Sequence, residues 1–357
     1  MAMPPPRPLV EGPSAWIGRD LRAREDEWIY PLSAAEIAEI DSATAAVRER
    51  GLDIAEIGRA DFPLPRLGPR LDAMREEILN GRGFVLIRGL PVEGRPIAGN
   101  AVAYWAAAYW GIGTYLGNAR SQNAKGHLLG HVRDLGLATS DPRVRTYQTT
   151  ERQHFHTDSC DIVGLLCLKT AKSGGLSSLT SSMAIYNVMA TRRPDLVARL
   201  FRPMPTDRRG EVPAGKKPFF EIPVYNDHAG YLSVLYSRTY INSSQRFPEA
   251  RRLEPEDVAA LDLFDDLAND ADLRLDMQLQ PGDMQFVHNH TILHDRTAFE
   301  DFPEPEKKRH LLRLWLAAPG ARKLPPVYAE RYGSIAIGDR GGIICPDTKL
   351  HAPLEPV

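Results

Sequence analysis

The order of the secondary-structure patterns along the chain constrains the fold more than any other feature of this sequence. Helical patterns dominate up to about residue 116, and from about residue 143 the sequence changes to short apolar runs separated by Gly, Pro, Asn and Asp. Examples are IVGLLCLKT, GYLSVLYSRTYI, DMQFVHNH and RHLLRLWLA. Because strands and helices do not alternate, a doubly wound parallel sheet is excluded. The spacing predicts an α+β fold that is mainly β with helical decoration.

Four segments have the spacing or composition of helices, and one has that of a strand. Capping residues and glycines at their ends mark where these elements begin and end. The predicted helices are Ser33–Arg50, Leu67–Asn80, Ala101–Leu116 and an inserted helix at Glu254–Asn269, and the predicted strand is Gly83–Val92. Since three of the helices precede the β-rich region, we expect them to decorate it.

Composition excludes several classes of function. The chain has 357 residues with 44 basic against 46 acidic side chains, so no net field favours nucleic acid or an anionic membrane. No stretch approaches the roughly 20 apolar residues of a membrane span, and prolines occupy the N-terminus where a signal peptide needs an apolar helix. Three cysteines without a CxxC pair suit a reducing compartment. We therefore expect a cytoplasmic globular protein.

Two motifs resemble known sites but lack an essential residue. In GEVPAGKK, Lys217 stands where a phosphate-binding loop needs Ser or Thr, and no strand precedes the motif. In HLLGH, His127 and His131 have the spacing of a zinc-protease helix, but the glutamate base is missing and Gly130 weakens a helix. We interpret the histidines as a loop or helix-end pair.

An HxD unit offers a pair of metal ligands. His156 and Asp158 are two residues apart, so on a strand both side chains face the same side, roughly 6–7 Å apart at their Cα atoms. A third ligand is available downstream from His288, His290 or His294. Two histidines and one carboxylate form the facial triad of non-haem Fe(II) oxygenases, which leaves three metal positions open. A zinc site uses the same ligand types.

The last strand pattern, KRHLLRLWLA, predicts two different faces. Alternation places Arg309, Leu311, Arg313 and Trp315 on one face and His310, Leu312, Leu314 and Leu316 on the other. We expect the leucine face to pack on a helix or on a second sheet. The arginine face is suited to a polar cavity where a guanidinium binds a carboxylate through two hydrogen bonds. A solvated strand face is the alternative.

Four motifs in order resemble the taurine dioxygenase family of Fe(II)/2-oxoglutarate-dependent oxygenases. They are HTD at 156–158, SGGLSSLTS at 173–181, QPGDMQFVHNHTILHDR at 280–296 and RHLLRLW at 309–315. The resemblance spans about residues 80–320 and implies a double-stranded β-helix, or jelly-roll, core. It also implies that His156, Asp158 and His294 bind iron, since His294 closes the segment that contains Asn289.

The resemblance also implies roles for residues around the metal. Arg309 matches the arginine that binds the distal carboxylate of 2-oxoglutarate, and Ser177 falls where a hydroxyl assists it. Arg313 matches a position that meets an anionic substrate in some members. The segment SQNAKGHLLGHVRD at 121–134 resembles an early active-site loop, so Gln122 or Asn123 is expected to contact substrate.

The implied activity is oxidation of a C–H bond with Fe(II), 2-oxoglutarate and O₂, releasing succinate and CO₂. The substrate expected is a small anionic or amino-acid-like molecule. Asp158 favours hydroxylation or desaturation, because related halogenases lack this carboxylate to make room for chloride. Two alternatives remain open: a non-redox zinc or nickel hydrolase or isomerase on a β-barrel, and a ligand-binding barrel without catalytic activity.

The motif order predicts one elaborated domain over 1–357. Residues 1–80 form an arm and helices that pack on the core, residues 81–320 form the jelly-roll core, and residues 321–357 form a tail. Sequence leaves open whether this tail covers the pocket or lies on the surface. A homo-oligomer is equally open.

Overall fold

The computed structural model describes residues 7–94, 100–137 and 144–356. The first six residues of the predicted arm, the predicted change of pattern at 143 and Val357 lie outside this part. The α-helices are α1 (Gly18–Arg22), α2 (Ala34–Glu49), α3 (Leu67–Asn80), α4 (Ala101–Gly113), α5 (Ser182–Arg192), α6 (Pro194–Arg199), α7 (Arg238–Ser244), α8 (Pro255–Asn269) and α9 (Ala329–Tyr332).

Short strands make up most of the remaining regular structure. They are β1 (Ile29–Pro31), β2 (Phe84–Arg88), β3 (Asn118–Ala119), β4 (Leu129–Val132), β5 (Gln153–His156), β6 (Ile162–Lys169), β7 (Ser173–Gly174), β8 (Ser177–Ser181), β9 (Pro203–Asp207), β10 (Phe219–Pro223), β11 (Tyr225–His228), β12 (Tyr231–Val234), β13 (Arg274–Met277), β14 (Met284–His288), β15 (Ile292–Arg296), β16 (Phe299–Glu300), β17 (His310–Ala317), β18 (Ile335–Ala336) and β19 (Asp339–Arg340).

Two sheets carry the site. The larger has the order β1-β2-β14-β6-β17-β3, with β4 paired to β17, and the smaller has the order β13-β8-β15-β5. In the larger sheet β6 runs antiparallel to both β14 and β17. In the smaller sheet β15 runs antiparallel to both β8 and β5. One apolar cluster contains side chains from both sheets, including Val163 and Leu311 from the larger and Leu179 and Ile292 from the smaller. The two sheets therefore share an interior.

The helices cover the outer faces of these sheets. Leu312, Leu314 and Leu316 of β17 belong to a cluster built largely from α2, α3 and α4. This confirms that the leucine face of the last predicted strand packs on helices. A second cluster joins α5, α6 and α8 to Leu293 of β15. The fold is therefore mixed α and β, with helices outside a two-sheet interior.

The predicted helices form close to their expected bounds. The capping serine, Ser33, accepts a hydrogen bond from the backbone of Glu36 at 3.3 Å and fixes the start of α2. Helix α4 is three residues shorter than predicted and the strand β2 is five residues long, because glycine- and proline-containing turns bound both elements. Helix α8 lies inserted before β13, as expected.

The HLLGH pair lies in neither a helix nor a helix end. His131 is on the strand β4, where its Nδ1 lies 2.8 Å from Nε2 of His310, and its Nε2 lies 2.9 Å from the carbonyl of Pro353. His127 forms an isolated bridge with His351 of the tail. The helix-end interpretation was therefore wrong for His131, since β4 pairs with β17 at this position. Within the described residues, no helix combines the length and apolarity needed to cross a membrane.

Candidate metal centre and active site

Strand pairing brings the HxD unit to the downstream histidines. In the antiparallel pair β5 and β15, His156 lies directly opposite His294, and their ring centroids are 4.2 Å apart. His288 and His290 lie elsewhere: His288 contacts the hydroxyl of Thr291, and His290 contacts the carboxylate of Asp161 at 2.9 Å. Of the three open candidates, the structure therefore places His294 beside the HxD unit.

Asp158 completes a cluster of three potential ligands. Its Oδ1 lies 3.8 Å from Nε2 of His156, and its Oδ2 lies 3.6 Å from Nε2 of His294. One ligand atom from each of the three residues lies within 4.8 Å of the other two. The space between these three donors is called the metal cup below. Two imidazoles and one carboxylate on one side of it are the donor set of a facial triad. The residues present therefore fit an Fe(II) ion.

Neighbouring groups hold these donors in place. The Nδ1 of His156 lies 2.8 Å from the carbonyl of His154, which directs Nε2 towards the cup. The indole of Trp315 donates to Oδ2 of Asp158 at 2.8 Å, and the Asp158 amide donates to the side chain of Asn289 at 2.9 Å. Such contacts orient metal ligands and fix which nitrogen is free. The conformation of Asp158 is thus set by Trp315 of β17 and by Asn289, which directly follows β14.

Burial and charge keep the donors in the protonation states that bind metal. Burial, reinforced by the neighbouring His294, lowers the pKa of His156 to about 3. Burial acts to raise the pKa of Asp158, but Arg313 and His294 together hold it below its usual range. At neutral pH His156 is therefore neutral and Asp158 is ionised. The amide nitrogen of Gln153 lies 2.9 Å from Nε2 of His156, so this ring nitrogen is the acceptor and carries no proton, as a metal ligand requires.

On one side of the cup, a narrow cavity contains Arg309 and Ser177. Arg309 is 5% exposed, and within the described residues its Nη1 has no hydrogen-bond partner. Its guanidinium packs over Phe299, with 5.2 Å from Cζ to the ring centroid, and burial lowers its pKa to about 10. A buried guanidinium with a free N–H group is suited to a carboxylate. The hydroxyl of Ser177 donates to Gln285 at 3.1 Å.

Glycine at position 175 allows the chain to pass close to this arginine. Gly175 has φ +69°, a region that favours glycine, and a Cβ there would lie 3.2 Å from Nε of Arg309. The close approach to Arg309 thus explains why glycine is favoured in this part of SGGLSSLTS. Glycine leaves room for the Arg309 side chain beside the strand that carries Ser177.

Sequence reasoning missed a second arginine in this cavity. Arg296 lines it with Arg309 and packs over the same Phe299 ring, at 4.7 Å. One of its nitrogens donates to the carbonyl of Thr149 at 3.0 Å, and its Nε has no partner among the described residues. The signal was available, because Arg296 is two residues after His294 and so shares its strand face.

On the other side of the cup, a cleft contains Arg313 and Gln122. The Nε of Arg313 donates to Oε1 of Gln122 at 2.7 Å, and the amide nitrogen of Gln122 donates to the Arg313 carbonyl at 2.8 Å. Arg313 also lies 3.8 Å from Oδ2 of Asp158 and packs against Tyr147. Gln122 therefore lines the cleft and fixes the direction of Arg313.

Asn123 lies apart from this cleft. Its side-chain oxygen accepts from the amide of His127 at 3.3 Å, and it lines a smaller pocket with Gln122, His131 and Pro356. The structure thus brings Gln122, but not Asn123, to the wall beside the metal cup.

Sequence reasoning also missed most of the charged wall of the cleft. Arg145, Arg208 and Arg331 line it together with Glu211. Arg331 is on α9 in the tail, so the tail contributes to the cleft, which the sequence left open. These residues are far apart in the sequence and follow no strand period, so only the tertiary structure reveals the group.

Comparison with known proteins agrees with this arrangement. The family model described as "Taurine catabolism dioxygenase TauD, TfdA family" matches residues 48–315. The chain is 33% identical over 320 residues to the FR-33289 synthase of Streptomyces rubellomurinus, covering 88% of this chain and 92% of the relative. It is 31% identical over 325 residues to the taurine hydroxylase-like protein SAT17 of Stachybotrys chartarum, covering 87% and 82%.

Solved structures support the same fold. The non-haem iron oxygenase OrfP in complex with Fe and alpha-ketoglutaric acid superposes with a TM-score of 0.60 at 16% identity, covering 81% of this chain and 93% of that chain. OrfP in complex with Fe, succinate and (3S)-hydroxy-L-Arg superposes with a TM-score of 0.59 at 14% identity, covering 81% and 94%. With the family match, these findings show that the chain belongs to the taurine catabolism dioxygenase TauD, TfdA family and is an Fe(II)- and 2-oxoglutarate-dependent oxygenase.

Proposed function

We propose that this oxygenase hydroxylates or desaturates a C–H bond of a small anionic molecule. The observation that carries the proposal is the position of the His156, Asp158 and His294 cluster between two arginine-bearing cavities. One cavity suits the carboxylate of 2-oxoglutarate and the other suits a charged substrate. 2-Oxoglutarate and O₂ are consumed, and succinate, CO₂ and the oxidised product are released.

Within this proposal, His156, Asp158 and His294 hold Fe(II). The bound iron supplies the activation of O₂ that C–H oxidation requires. Arg309 binds the distal carboxylate of 2-oxoglutarate through its free Nη1, and Ser177 adds a hydroxyl from the neighbouring wall. Arg296 adds a second positive charge to the same end. Val163, Leu165 and Leu311 line this cavity as well, and such apolar side chains exclude water from it.

In the cleft on the other side of the metal cup, Arg313 binds the charged group of the substrate. Gln122 orients the Arg313 guanidinium. The complex of OrfP with a hydroxylated arginine supports an amino-acid-like substrate as one class to test. A contact between Asn123 and substrate stays a prediction that requires rearrangement of the segment containing His127.

The remaining predictions on architecture belong to the same proposal. We infer that the two sheets form the double-stranded β-helix core of one domain, on which the described parts of the predicted regions 1–80 and 321–357 pack. We expect a cytoplasmic enzyme, and a homo-oligomer stays a prediction.

The experiment that tests the function combines spectroscopy with turnover. Anaerobic protein loaded with Fe(II) should develop a visible band when 2-oxoglutarate is added, because 2-oxoglutarate binds the iron directly. A screen of small anionic and amino acids should then identify compounds that release succinate in air. If zinc or nickel is retained preferentially and no band develops, the non-redox alternative replaces this proposal; a band without any substrate-dependent succinate favours the non-catalytic barrel.

A further inference from the structure

We propose that Arg208 and Arg331 form a subsite for a phosphoryl group of the substrate, carried as a phosphate monoester or a phosphonate. This inference rests on the proposed function and names the substrate class more closely. Both arginines line the cleft that also contains His156 and Asp158. Neither belongs to the motifs that carry the iron or 2-oxoglutarate assignments.

The two guanidinium groups lie around one aromatic ring. The Cζ atoms of Arg208 and Arg331 lie 5.1 Å and 5.7 Å from the centroid of Phe220. Arg208 is 1% exposed and is held by the carbonyls of Lys217 at 3.0 Å and Glu330 at 2.6 Å. Within the described residues, its Nη1 is buried without any hydrogen-bond partner. This leaves an oriented cationic donor available to a ligand.

The carboxylates near this pair are shared with other cations, and Glu211, which acts to raise the pKa of Arg331, is one of them. Glu211 is in contact with Arg145, and Asp207 forms an ion pair with Arg246 at 3.1 Å. Glu330 lies 3.8 Å from Arg208, but it is about half exposed and also pairs with Lys216 at 3.1 Å. Burial, reinforced by Arg331, lowers the pKa of Arg208 to about 10, so it is charged at neutral pH.

A buried guanidinium such as that of Arg208, with an unpartnered N–H group and a second arginine close by, is costly unless a ligand compensates it. A phosphoryl group carries about −1.5 to −2 charges at neutral pH and three acceptor oxygens, so one group can match both guanidiniums. A carboxylate or a sulfate ester carries one charge and would leave the other guanidinium uncompensated. Charge balance therefore favours a phosphoryl group.

A hydrogen bond connects the subsite to the residue that follows the metal ligand Asp158. The Nε of Arg331 donates to the hydroxyl of Ser159 at 2.7 Å, and Ser159 directly follows Asp158. Arg331, His156 and Asp158 line the same cleft, so one small molecule can reach both the arginine and the metal donors.

Binding of simple probes tests this subsite directly. Calorimetry on anaerobic protein with Fe(II) and 2-oxoglutarate should show methyl phosphate or methylphosphonate binding more tightly than methyl sulfate, the singly charged analogue. Arg208→Gln and Arg331→Gln should each weaken this binding at least about tenfold, as expected when a charge-assisted hydrogen bond is lost. Arg331→Lys, which keeps the charge without the planar fork, should fall between the wild type and Arg331→Gln.

Arg193→Gln is the matched control, since Arg193 is exposed between α5 and α6, does not line the cleft and pairs with Asp195 at 2.6 Å. It should bind the probes as the wild type does. Retention of the 2-oxoglutarate-dependent visible band reports that the Arg208 and Arg331 variants are folded. The tighter of the two probes identifies a phosphate ester or a phosphonate as the natural group.

Equal affinity for methyl phosphate, methylphosphonate and methyl sulfate would overturn the inference, as would unchanged binding in both glutamine variants. Succinate release with a carboxylate substrate, unaffected by Arg208→Gln, would overturn it too while leaving the proposed function intact. Absence of the visible band together with absence of succinate release would instead refute the proposed function, whatever the probes bind.

Discussion

The two ends of the active-site cavity are built in different ways. At the proposed 2-oxoglutarate end, Arg296 is on β15 and Arg309 directly precedes β17, both parts of the two-sheet core. At the substrate end, Arg208 follows β9 and Arg331 is on the short helix α9 of the tail. The first end is formed by β15, which also carries His294, and by the residue that precedes β17, whereas the second is formed by segments outside the two sheets.

This difference indicates that the sheets position the groups for the oxidation, whereas segments outside the sheets determine which substrate binds. Strand positions are fixed by backbone hydrogen bonds on both sides, so the donors and Arg309 keep their relative geometry. Segments outside the sheets can change without disturbing that ladder. We therefore expect variants at the two ends to affect different kinetic parameters, and the predictions test this separation.

Substitution of Asp158, which lies between the two ends, is expected to have the largest effect on activity. Asp158→Ala removes the carboxylate donor and leaves two histidines, so succinate release should fall below detection. Metal content and succinate are measured together by metal analysis and chromatography. His156→Ala should behave alike, whereas His228→Ala, an imidazole on β11 outside the cavity, should retain activity. Normal turnover of Asp158→Ala under metal-controlled conditions would refute its assignment as a ligand.

The next effect should be confined to the 2-oxoglutarate end. Arg309→Gln removes the buried charge proposed to bind the distal carboxylate, and losing such a contact costs about 1.5–3 kcal/mol. The KM for 2-oxoglutarate should therefore rise by roughly 10- to 150-fold, which initial-rate measurements of succinate release will show. Arg331→Gln should leave this KM unchanged. An unchanged KM in Arg309→Gln would transfer the role to Arg313 or Arg296.

The third prediction concerns Trp315. This residue positions the metal ligand Asp158 and so affects both ends of the cavity. Trp315→Phe removes the indole donor to Asp158 and keeps an aromatic ring in place. Loss of such a supporting hydrogen bond weakens metal affinity by about 10- to 100-fold. Titration with Fe(II) under anaerobic conditions checks this. Equal metal affinity in Trp315→Phe and wild type would show that Asn289 alone suffices to position Asp158.

The smallest expected effect is on the pH dependence of the free energy of unfolding, through histidines that contact the tail that supplies Arg331. Burial, and then His131, lowers the pKa of His310 to about 3, and His131 in turn contacts the tail carbonyl of Pro353. In the unfolded chain His310 titrates near 6.5, so between about pH 3 and 6.5 the unfolded state binds the extra proton. The free energy of unfolding therefore increases with pH across this window, by up to about 1.4 kcal/mol per unit from His310.

His310→Gln should make that slope shallower, as urea unfolding at several pH values will measure. His154→Gln, at an exposed position, is the matched control and should retain the wild-type slope. A wild-type slope in His310→Gln would show that this buried imidazole does not couple the tail region to pH.

The sequence predicted the parts of the fold that follow local periodicity. Helices α2, α3 and α8 formed near their expected bounds because capping residues and apolar spacing act over a few neighbouring residues. The interpretation of His131 failed because a short i, i+4 pattern does not distinguish a helix from a strand recruited by β17. At the substrate end, no period connects Arg208 and Arg331, so no sequence pattern predicted them.

By itself, the sequence determined the metal donors' chemistry, the HxD spacing and the arginine face of β17. These follow from side-chain types and from the two-residue period of a strand. Only the tertiary structure decided which downstream histidine joins Asp158, because the register of β5 against β15 places His294 opposite His156. It alone also joined residues from the β9 segment and the tail into one cationic wall, since contacts between distant segments depend on packing rather than on local pattern.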